Sequence, residues 1–149
     1  MSARGFALIE LMFMVAITGV LAVLVALALI GYARTSALQA GARELATVLN
    51  LGRQIAITQN TAVCVEVIGA AIRFRQNGCG GTAWTGPGTD GTGMIRISEP
   101  STFLVRSTAN VFFTGLGAAS PAGTYFMTNP VSGGTRTVVV AATGRVSIR

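Results

Sequence analysis

A run of twenty residues without a charged side chain, LMFMVAITGVLAVLVALALI at 11–30, constrains the fold of this chain more than any other feature. As a helix it would be about 30 Å long, which is the hydrocarbon thickness of a bilayer. One alternative is a core helix of a soluble protein, which is usually shorter and amphipathic. Another is a secretory signal, whose apolar region is about 7–15 residues long and is followed by a small-residue cleavage site. No A-x-A site ends this longer run, so it predicts a membrane-spanning helix rather than a secretory signal.

The helical pattern continues after the apolar run. Six apolar or small residues recur at alternating steps of four and three, which places them on one helix face. These residues are Leu38, Ala42, Leu45, Leu49, Gly52 and Ala56. Charged residues such as Glu44 lie off that face, and the first proline is Pro87. We therefore predict one helix over 6–58, whose first half lies in lipid or in a protein core that imitates lipid. The second half packs an apolar stripe on a soluble domain.

Beyond residue 60 the chain changes to short β-branched runs separated by Gly, Thr and Ser, a pattern typical of strands and turns. In AIRFRQ, isoleucine and phenylalanine alternate with two arginines, which predicts one buried face and one wet face. Strands are predicted at 62–68, 71–76, 94–98, 103–107, 111–114, 124–127, 137–141 and 146–148. Gly69 and Ala70 are predicted to turn the first hairpin. The predicted fold class is α+β, with a long N-terminal helix packed on a small antiparallel β-domain.

The composition argues against catalysis. The chain has eleven Arg and five acidic residues, which give a net charge of +6, and it has no Lys and no His. The absence of His removes the usual general base and the commonest metal ligand. The few acidic residues are scattered, and no nucleophile stands beside a base. We therefore expect this chain not to be an enzyme and to need no metal and no cofactor.

Residues 1–12, MSARGFALIELM, lead into the apolar run and resemble the class III signal of type IV pilins and type II secretion pseudopilins. The matching residues are Gly5, Phe6, Leu8, Ile9, Glu10 and Leu11. The resemblance implies that prepilin peptidase cleaves between Gly5 and Phe6 on the cytoplasmic side and that Phe6 is N-methylated. Ala7 is a departure, because the family consensus has Thr there. Arg4 in the leader agrees with the excess of positive charge on the cytoplasmic side of membranes.

Glu10 is an acid at the start of an apolar helix. An ionised carboxylate beside lipid costs about 2.5–3.5 kcal/mol at mid-helix and less near an end, so acids in such places are usually functional. After cleavage the new amine of Phe6 would be a cation that the Glu10 carboxylate of a neighbouring subunit could pair with. That pair would favour docking of a subunit into a filament at one axial offset. The alternative is an acid that complements the helix dipole, worth about 0.3–1 kcal/mol, and the two roles are compatible.

A loop of seventeen residues, NGCGGTAWTGPGTDGTG at 77–93, is long for a compact domain, which is typical of loops that are mobile or functional. Cys79 near its start and Cys64 in the first predicted strand are the only cysteines. In a domain facing the periplasm they could form a disulfide worth about 3 kcal/mol. The alternative is two separate thiols. We favour the disulfide, because two thiols without His cannot complete a four-ligand zinc site.

The resemblance extends beyond the leader to the GspH/FimT/FimU family of minor pilins and pseudopilins. The helix-to-strand segment ARELATVLNLGRQIAITQNTAVCVEV is similar to that family's pattern A-R-x-x-A-I followed by V-x-[VL]-C. AWTGPGTDG resembles its Trp-x-x-Gly loop, VFFTGLGAASPAGTYFM resembles a strand pair, and TRTVVVAATGRVSIR resembles the closing hairpin. The resemblance covers nearly the whole chain. It implies a long N-terminal helix packed on a small β-domain of two sheets.

Some FimT-like members of this family bind DNA through arginines around a C-terminal Gly-Arg-x-Arg motif. This chain keeps Gly144 and Arg145, has Ser147 in place of the second arginine, and has another arginine at Arg149. In a strand, alternate residues point to the same side, so Arg149 could add a contact on the Arg145 side. Arg136 could join them across the hairpin.

The charge of the soluble part agrees with a polyanionic partner. Residues 34–149 contain ten Arg and four acidic residues, a net charge of +6, which attracts DNA electrostatically. The alternative is a basic surface that is only solvated. Trp84 in the glycine-rich loop could stack on a base, although a single Trp is more often a core or subunit-contact anchor.

These observations together predict a minor pilin or pseudopilin. Its segments are a cleaved leader at 1–5, a transmembrane and filament-core helix at 6–30, the amphipathic half of the same helix at 31–60, and a periplasmic β-rich domain at 61–149. The expected location is the bacterial inner membrane, crossed once, and then a pilus or pseudopilus. The expected partners are prepilin peptidase, other pilin subunits and, in the alternative, DNA. A membrane protein unrelated to pili remains as a further alternative.

Overall fold

The computed structural model describes residues 8–97, 104–130 and 133–149. One long helix, α1 (Leu8–Thr58), is followed by eight strands. The strands are β1 (Val63–Ile68), β2 (Ala71–Gln76), β3 (Met94–Arg96), β4 (Leu104–Ser107), β5 (Val111–Phe113), β6 (Gly123–Thr128), β7 (Thr135–Val140) and β8 (Val146–Ile148). All eight predicted strands are present, with described ends within two residues of the prediction. The predicted positions 6, 7, 98 and 103 lie outside the described residues.

The strands form two antiparallel sheets of four. Sheet 1 has the order β3-β2-β1-β5 and sheet 2 has the order β4-β6-β7-β8. In the β1–β2 hairpin Ile68 pairs with Ala71, which leaves Gly69 and Ala70 as the predicted two-residue turn. Gly69 has a φ of +62°, a conformation that glycine adopts more easily than other residues. The α+β fold class and the division into two small sheets are therefore confirmed.

The chain divides into two compact units, one ending at Thr35 and one running from Ser36 to Arg149. In the first unit every described residue, 8–35, is exposed. In the second unit α1 buries nine residues, and all six members of the predicted stripe are among them. The nine are Leu38, Gly41, Ala42, Leu45, Val48, Leu49, Gly52, Ile55 and Ala56. The amphipathic second half of the helix is therefore confirmed.

The core of the second unit is formed by α1 and the inward faces of both sheets. Phe74 of β2 and Tyr125 of β6 are among the largest fully buried side chains. Gly52 lets the helix approach sheet 1, because a Cβ atom there would lie 2.6 Å from Cε1 of Phe74. The predicted alternation in β2 is also observed, since Phe74 is buried while Arg73 and Arg75 are partly exposed.

The glycine-rich loop 77–93 is attached to the core through Trp84 and has internal hydrogen bonds at Asp90. This is a structural role in addition to the mobile or functional roles expected of long loops. The ring of Trp84 packs edge-on against Phe74, with 6.3 Å between ring centroids, and joins the edge of the core. The Asp90 carboxylate accepts hydrogen bonds from the backbone of Thr92 and Met94 and from the Thr92 hydroxyl. These bonds lower the pKa of Asp90. Of the two roles weighed for Trp84, the core anchor agrees with this packing.

The two cysteines form a disulfide. Cys64 on β1 and Cys79 in the loop after β2 are bonded, with 5.1 Å between their Cα atoms. Of the two alternatives, the disulfide rather than two separate thiols is therefore present. It ties the start of the long loop to β1.

Candidate functional site

The first candidate site is the apolar start of α1. Within the described part of the chain, α1 is the one helix long and apolar enough to cross a membrane, on length and composition alone. Glu10 is exposed in its first turn. The only polar side chain between Glu10 and Gly31 is Thr18, whose hydroxyl donates to the backbone oxygens of Met14 and Val15. The Thr18 hydroxyl is thus satisfied within the helix, as a membrane-embedded segment requires. The cleavage-site residues Gly5 and Phe6 lie outside the described residues.

The second candidate site is the β7–β8 hairpin. The ladder extends past β8 at both ends, because Arg149 exchanges two backbone hydrogen bonds with Thr137, of 2.8 and 3.1 Å. At the turn end the carbonyl of Arg145 accepts from the backbone N–H of Ala141 at 2.9 Å. Both arginines are exposed and lie four residues apart in continuous register. They therefore share the outward face of sheet 2.

The hairpin turn explains why glycine precedes Arg145. Gly144 has a φ of +77°, and its backbone N–H donates to the carbonyl of Ala141 at 2.8 Å. A Cβ atom at Gly144 would lie 1.8 Å from the carbonyl oxygen of Gly117. That oxygen accepts a 2.8 Å hydrogen bond from Nε of Arg53 on α1. The glycine is therefore required for close packing of this turn against the Gly117 turn and the helix.

Arg136 does not join the other two arginines. Arg136 is paired with Met127 of β6. The residue of β7 that is opposite Arg149 is the next one, Thr137. Met127 and Val138 are buried, so by alternation Arg136 belongs to the face of β7 that is turned towards the core. The expectation that Arg136 shares the Arg145 face is therefore wrong, because the turn at Gly144 sets a register that the sequence does not reveal.

The structure adds two residues that the sequence reasoning missed. Arg106 of β4 is directly opposite Phe126 of β6, and Phe126 is directly opposite Thr137 of β7. Together with Arg149 these residues form one row across the outward face of sheet 2, which we call the outer row. Phe126 is 38% exposed. The alternation of GTYFMT is the signal that could have placed this phenylalanine on the outward face, although a local pattern does not show its neighbours on other strands.

Three residues on the outward face of sheet 1 form an ion-pair cluster. Nε and Nη2 of Arg73 donate to Oε2 of Glu66 at 2.9 and 2.7 Å, and Nε of Arg75 donates to the same oxygen at 3.0 Å. Arg75 also donates to the carbonyl of Gly81. The hydrogen bond from Arg75, followed by that from Arg73, lowers the pKa of Glu66. These two arginines are therefore engaged within the protein.

The described residues offer no metal centre. Among residues 8–97, 104–130 and 133–149, no group of three or more His, Cys, Asp or Glu side chains is placed to hold a metal ion. The exposed features of the chain are instead an apolar helix surface and a basic sheet face.

Known structures with similar folds are pilin-like subunits. The Pseudomonas aeruginosa type IV minor pilin FimU has a TM-score of 0.57 and 17% identity, covering 79% of this chain and 92% of that one. The solution structure of Escherichia coli GspH has a TM-score of 0.58 and 15% identity, covering 76% and 88%. The minor pseudopilin EpsH from the Vibrio cholerae type 2 secretion system has a TM-score of 0.57 and 12% identity, covering 75% and 95%. These likenesses establish the pilin-like fold.

The sequence itself identifies the family. No protein of curated function matches the chain significantly. The family model described as type II transport protein GspH matches residues 41–144, which is more than half of the chain. The matched region begins within the buried stripe of α1 and ends at the glycine of the β7–β8 turn. The chain therefore belongs to the GspH family, the GspH/FimT/FimU group of minor pilins and pseudopilins.

Proposed function

We propose that this chain is an assembly subunit that primes or stabilises a type IV pilus or a type II secretion pseudopilus. One observation carries the proposal: α1 continues from the globular unit into a fully exposed apolar segment that has Glu10 in its first turn. Such a surface is unfavourable in water and favourable in lipid or among other helices of its kind. The segment is held first in the inner membrane and then in the filament core, with the globular unit in the periplasm.

Maturation creates the partner that Glu10 needs. Prepilin peptidase cleaves between Gly5 and Phe6, and the N-methylated amine of Phe6 is a cation at the start of the helix. The Glu10 carboxylate of a neighbouring subunit pairs with that amine once both leave water. An unpaired charge in an apolar environment costs several kcal/mol, so the pair selects one axial offset between subunits. Burial of the apolar surface stabilises the assembly, and the Glu10 pair determines the axial offset between neighbouring subunits.

Variants at Glu10 test this role. We expect Glu10→Ala and Glu10→Gln to insert in the membrane as wild type does but to be depleted at least tenfold from sheared filaments or cross-linked pseudopili. Glu10→Asp retains the charge and serves as the matched control, with partial recovery expected. The measurement is the ratio of filament to membrane protein in the host cell. Normal incorporation of Glu10→Gln would refute the pairing role.

A second candidate function is DNA binding during DNA uptake, which is compatible with the first. The observation that favours it is the continuous register of β8, which puts Arg145 and Arg149 on one exposed face. If two or three arginines neutralise phosphates, log K should fall with log salt with a slope of about −2 to −3 for duplex DNA. We expect salt-sensitive binding that Arg145→Gln/Arg149→Gln abolishes. Binding indifferent to the double change would leave these arginines as solvated surface.

A further inference from the structure

The outward face of sheet 2 combines hydroxyl side chains, one aromatic ring and arginines. Its outward positions on β6, β7 and β8 carry mostly hydroxyl residues: Thr124, Thr128, Thr135, Thr137 and Ser147. Phe126 is an exposed aromatic ring on the central strand β6. Arg106, Arg145 and Arg149 are all exposed at the margins of this face. The outward face of sheet 2 therefore combines one exposed aromatic ring with arginines at its margins.

The charge on this face has one sign. None of the described outward positions of β4, β6, β7 and β8 is acidic. The described acids lie elsewhere, with Glu10 and Glu44 on α1, Glu66 on sheet 1 and Asp90 in the loop before β3. On sheet 1, by contrast, Glu66 engages two of the outward arginines. The outward face of sheet 2 therefore complements an anionic partner.

The distances between the arginines and Phe126 suit an extended polyanion that carries planar groups between its charges. Arg106 and Arg149 are at opposite ends of the outer row, three strand intervals or about 14 Å apart. Arg145 lies about 13 Å along β8 from Arg149, since each strand residue rises about 3.3 Å. Phe126 lies within the outer row, next to Arg106, where directly opposite Cβ atoms are about 4.5–5.5 Å apart. Cations thus flank an exposed aromatic ring.

We propose that this face binds single-stranded nucleic acid, with a base stacked on Phe126 and phosphates held by Arg106, Arg145 and Arg149. A π-face that stacks on any base, beside cations that follow the backbone, is how proteins bind single strands without reading sequence. A duplex keeps its bases stacked on one another and offers no free face to Phe126. The proposal rests on the DNA-binding candidate function and narrows it to unpaired strands. It replaces Arg136 by Arg106 in the site.

The test uses the full chain in nanodiscs of neutral lipid and measures fluorescence anisotropy with three labelled probes. The probes are a twelve-nucleotide oligo-dT, a twelve-residue abasic strand with the same phosphates but no bases, and a twelve-base-pair duplex. We expect oligo-dT to bind at least fivefold more tightly than the abasic strand. Phe126→Leu should remove that preference, because stacking on one aromatic side chain is worth at least that factor.

The arginine variants separate charge from stacking. Arg106→Gln should weaken oligo-dT and abasic binding about equally and reduce the salt slope by about 0.7, the value for one phosphate contact of a single strand. Arg96→Gln is the matched control, because Arg96 is an exposed strand arginine on sheet 1, and it should change binding less than twofold. All variants are first checked for an unchanged melting temperature.

The outcomes distinguish this inference from the function on which it rests. Equal binding of oligo-dT and the abasic strand, or no effect of Phe126→Leu, would overturn the stacking site. If duplex binding then still required Arg145 and Arg149, the DNA-binding function would stand without it. No binding of any probe would overturn both and leave the assembly function untouched. If Phe126→Leu binds nucleic acid as wild type does but no longer co-purifies with other pilin subunits, the face is a protein contact instead.

Discussion

The two halves of helix α1 have the same backbone structure and opposite surroundings. From residue 8 to 35 every side chain is exposed, and most of them are large and apolar. From residue 36 to 58 the helix buries one stripe and leaves the opposite side to water. A helix that is apolar all round must be covered by lipid or by other helices, whereas an amphipathic one is stabilised within its own unit. Under the proposed function, folding of the globular unit and assembly of the filament depend on separate parts of one helix.

The largest expected effect contrasts a leucine from each half. Leu49→Ala removes a fully buried side chain and should lower the free energy of unfolding of the globular unit by about 2–5 kcal/mol. Leu24→Ala changes an exposed residue in the first half and should alter the free energy of unfolding of the globular unit by less than about 0.5 kcal/mol. Urea unfolding in detergent, followed by the fluorescence of Trp84, reports on the globular unit alone. Equal losses in the two variants would break the comparison.

The disulfide should stabilise only the globular unit. Replacing both cysteines, as Cys64→Ala/Cys79→Ala, removes a link that closes a loop of 15 residues and should cost about 2–4 kcal/mol. A lower melting temperature of the Trp84 signal is expected, with unchanged membrane insertion. Addition of a thiol reductant should lower the wild-type melting temperature and leave the double variant unaffected. A wild-type melting temperature insensitive to reductant would contradict a stabilising bond.

Two glycines with similar positive φ angles should differ in how much they tolerate a side chain. Gly144→Ala places an alanine at a positive φ, where it is strained, and brings its Cβ atom into collision with the carbonyl of Gly117. We therefore expect the free energy of unfolding to fall by about 2–3 kcal/mol. Gly69→Ala has a similar φ with nothing within 4 Å, so about 1 kcal/mol is expected. Thermal unfolding of both variants measures the difference. A Gly144→Ala loss no larger than that of Gly69→Ala would argue against close packing of the two turns.

The smallest effect concerns the ion pairs on sheet 1. The arginines lower the pKa of Glu66 in the folded state, so the ionised carboxylate stabilises the fold. The advantage of wild type over Glu66→Gln should be complete above the ordinary Glu pKa of about 4.3 and disappear as the pH falls through the lowered folded value. Since a third of the side chain is exposed, we expect less than about 1 kcal/mol. Urea unfolding between pH 2 and 7 measures this, and an advantage that grows on acidification would contradict it.

The sequence predicted those parts of the fold that depend on local patterns. The apolar run, the stripe from Leu38 to Ala56 and the strand alternation all follow from the periods of helix and strand. The turn at Gly69 and the disulfide were also predictable, because hairpin signals and two cysteines leave few arrangements. The same reasoning placed Arg145 and Arg149 on one face, since they flank a single short strand and its ladder continues through both.

Contacts between distant strands could not be predicted in this way. Arg106 and Phe126 are twenty residues apart in sequence, and only the β4–β6 register brings them together. Arg136 was expected on the Arg145 face, but the β7–β8 register places Thr137 rather than Arg136 opposite Arg149. A difference of one residue in a strand moves a side chain to the other face of the sheet. The role of Gly144 in packing also depends on Gly117 and Arg53, which are remote in sequence.

The most direct test of the account is the N-terminus of the protein purified from the membranes and filaments of its own host. Intact-mass and N-terminal peptide mass spectrometry would identify the first residue and any methyl group. The account predicts a chain that begins at N-methylated Phe6 and keeps the whole apolar segment, because that segment is both the membrane anchor and the filament core. A chain that retains the Gly5–Phe6 bond, or that has lost the apolar segment, would contradict it.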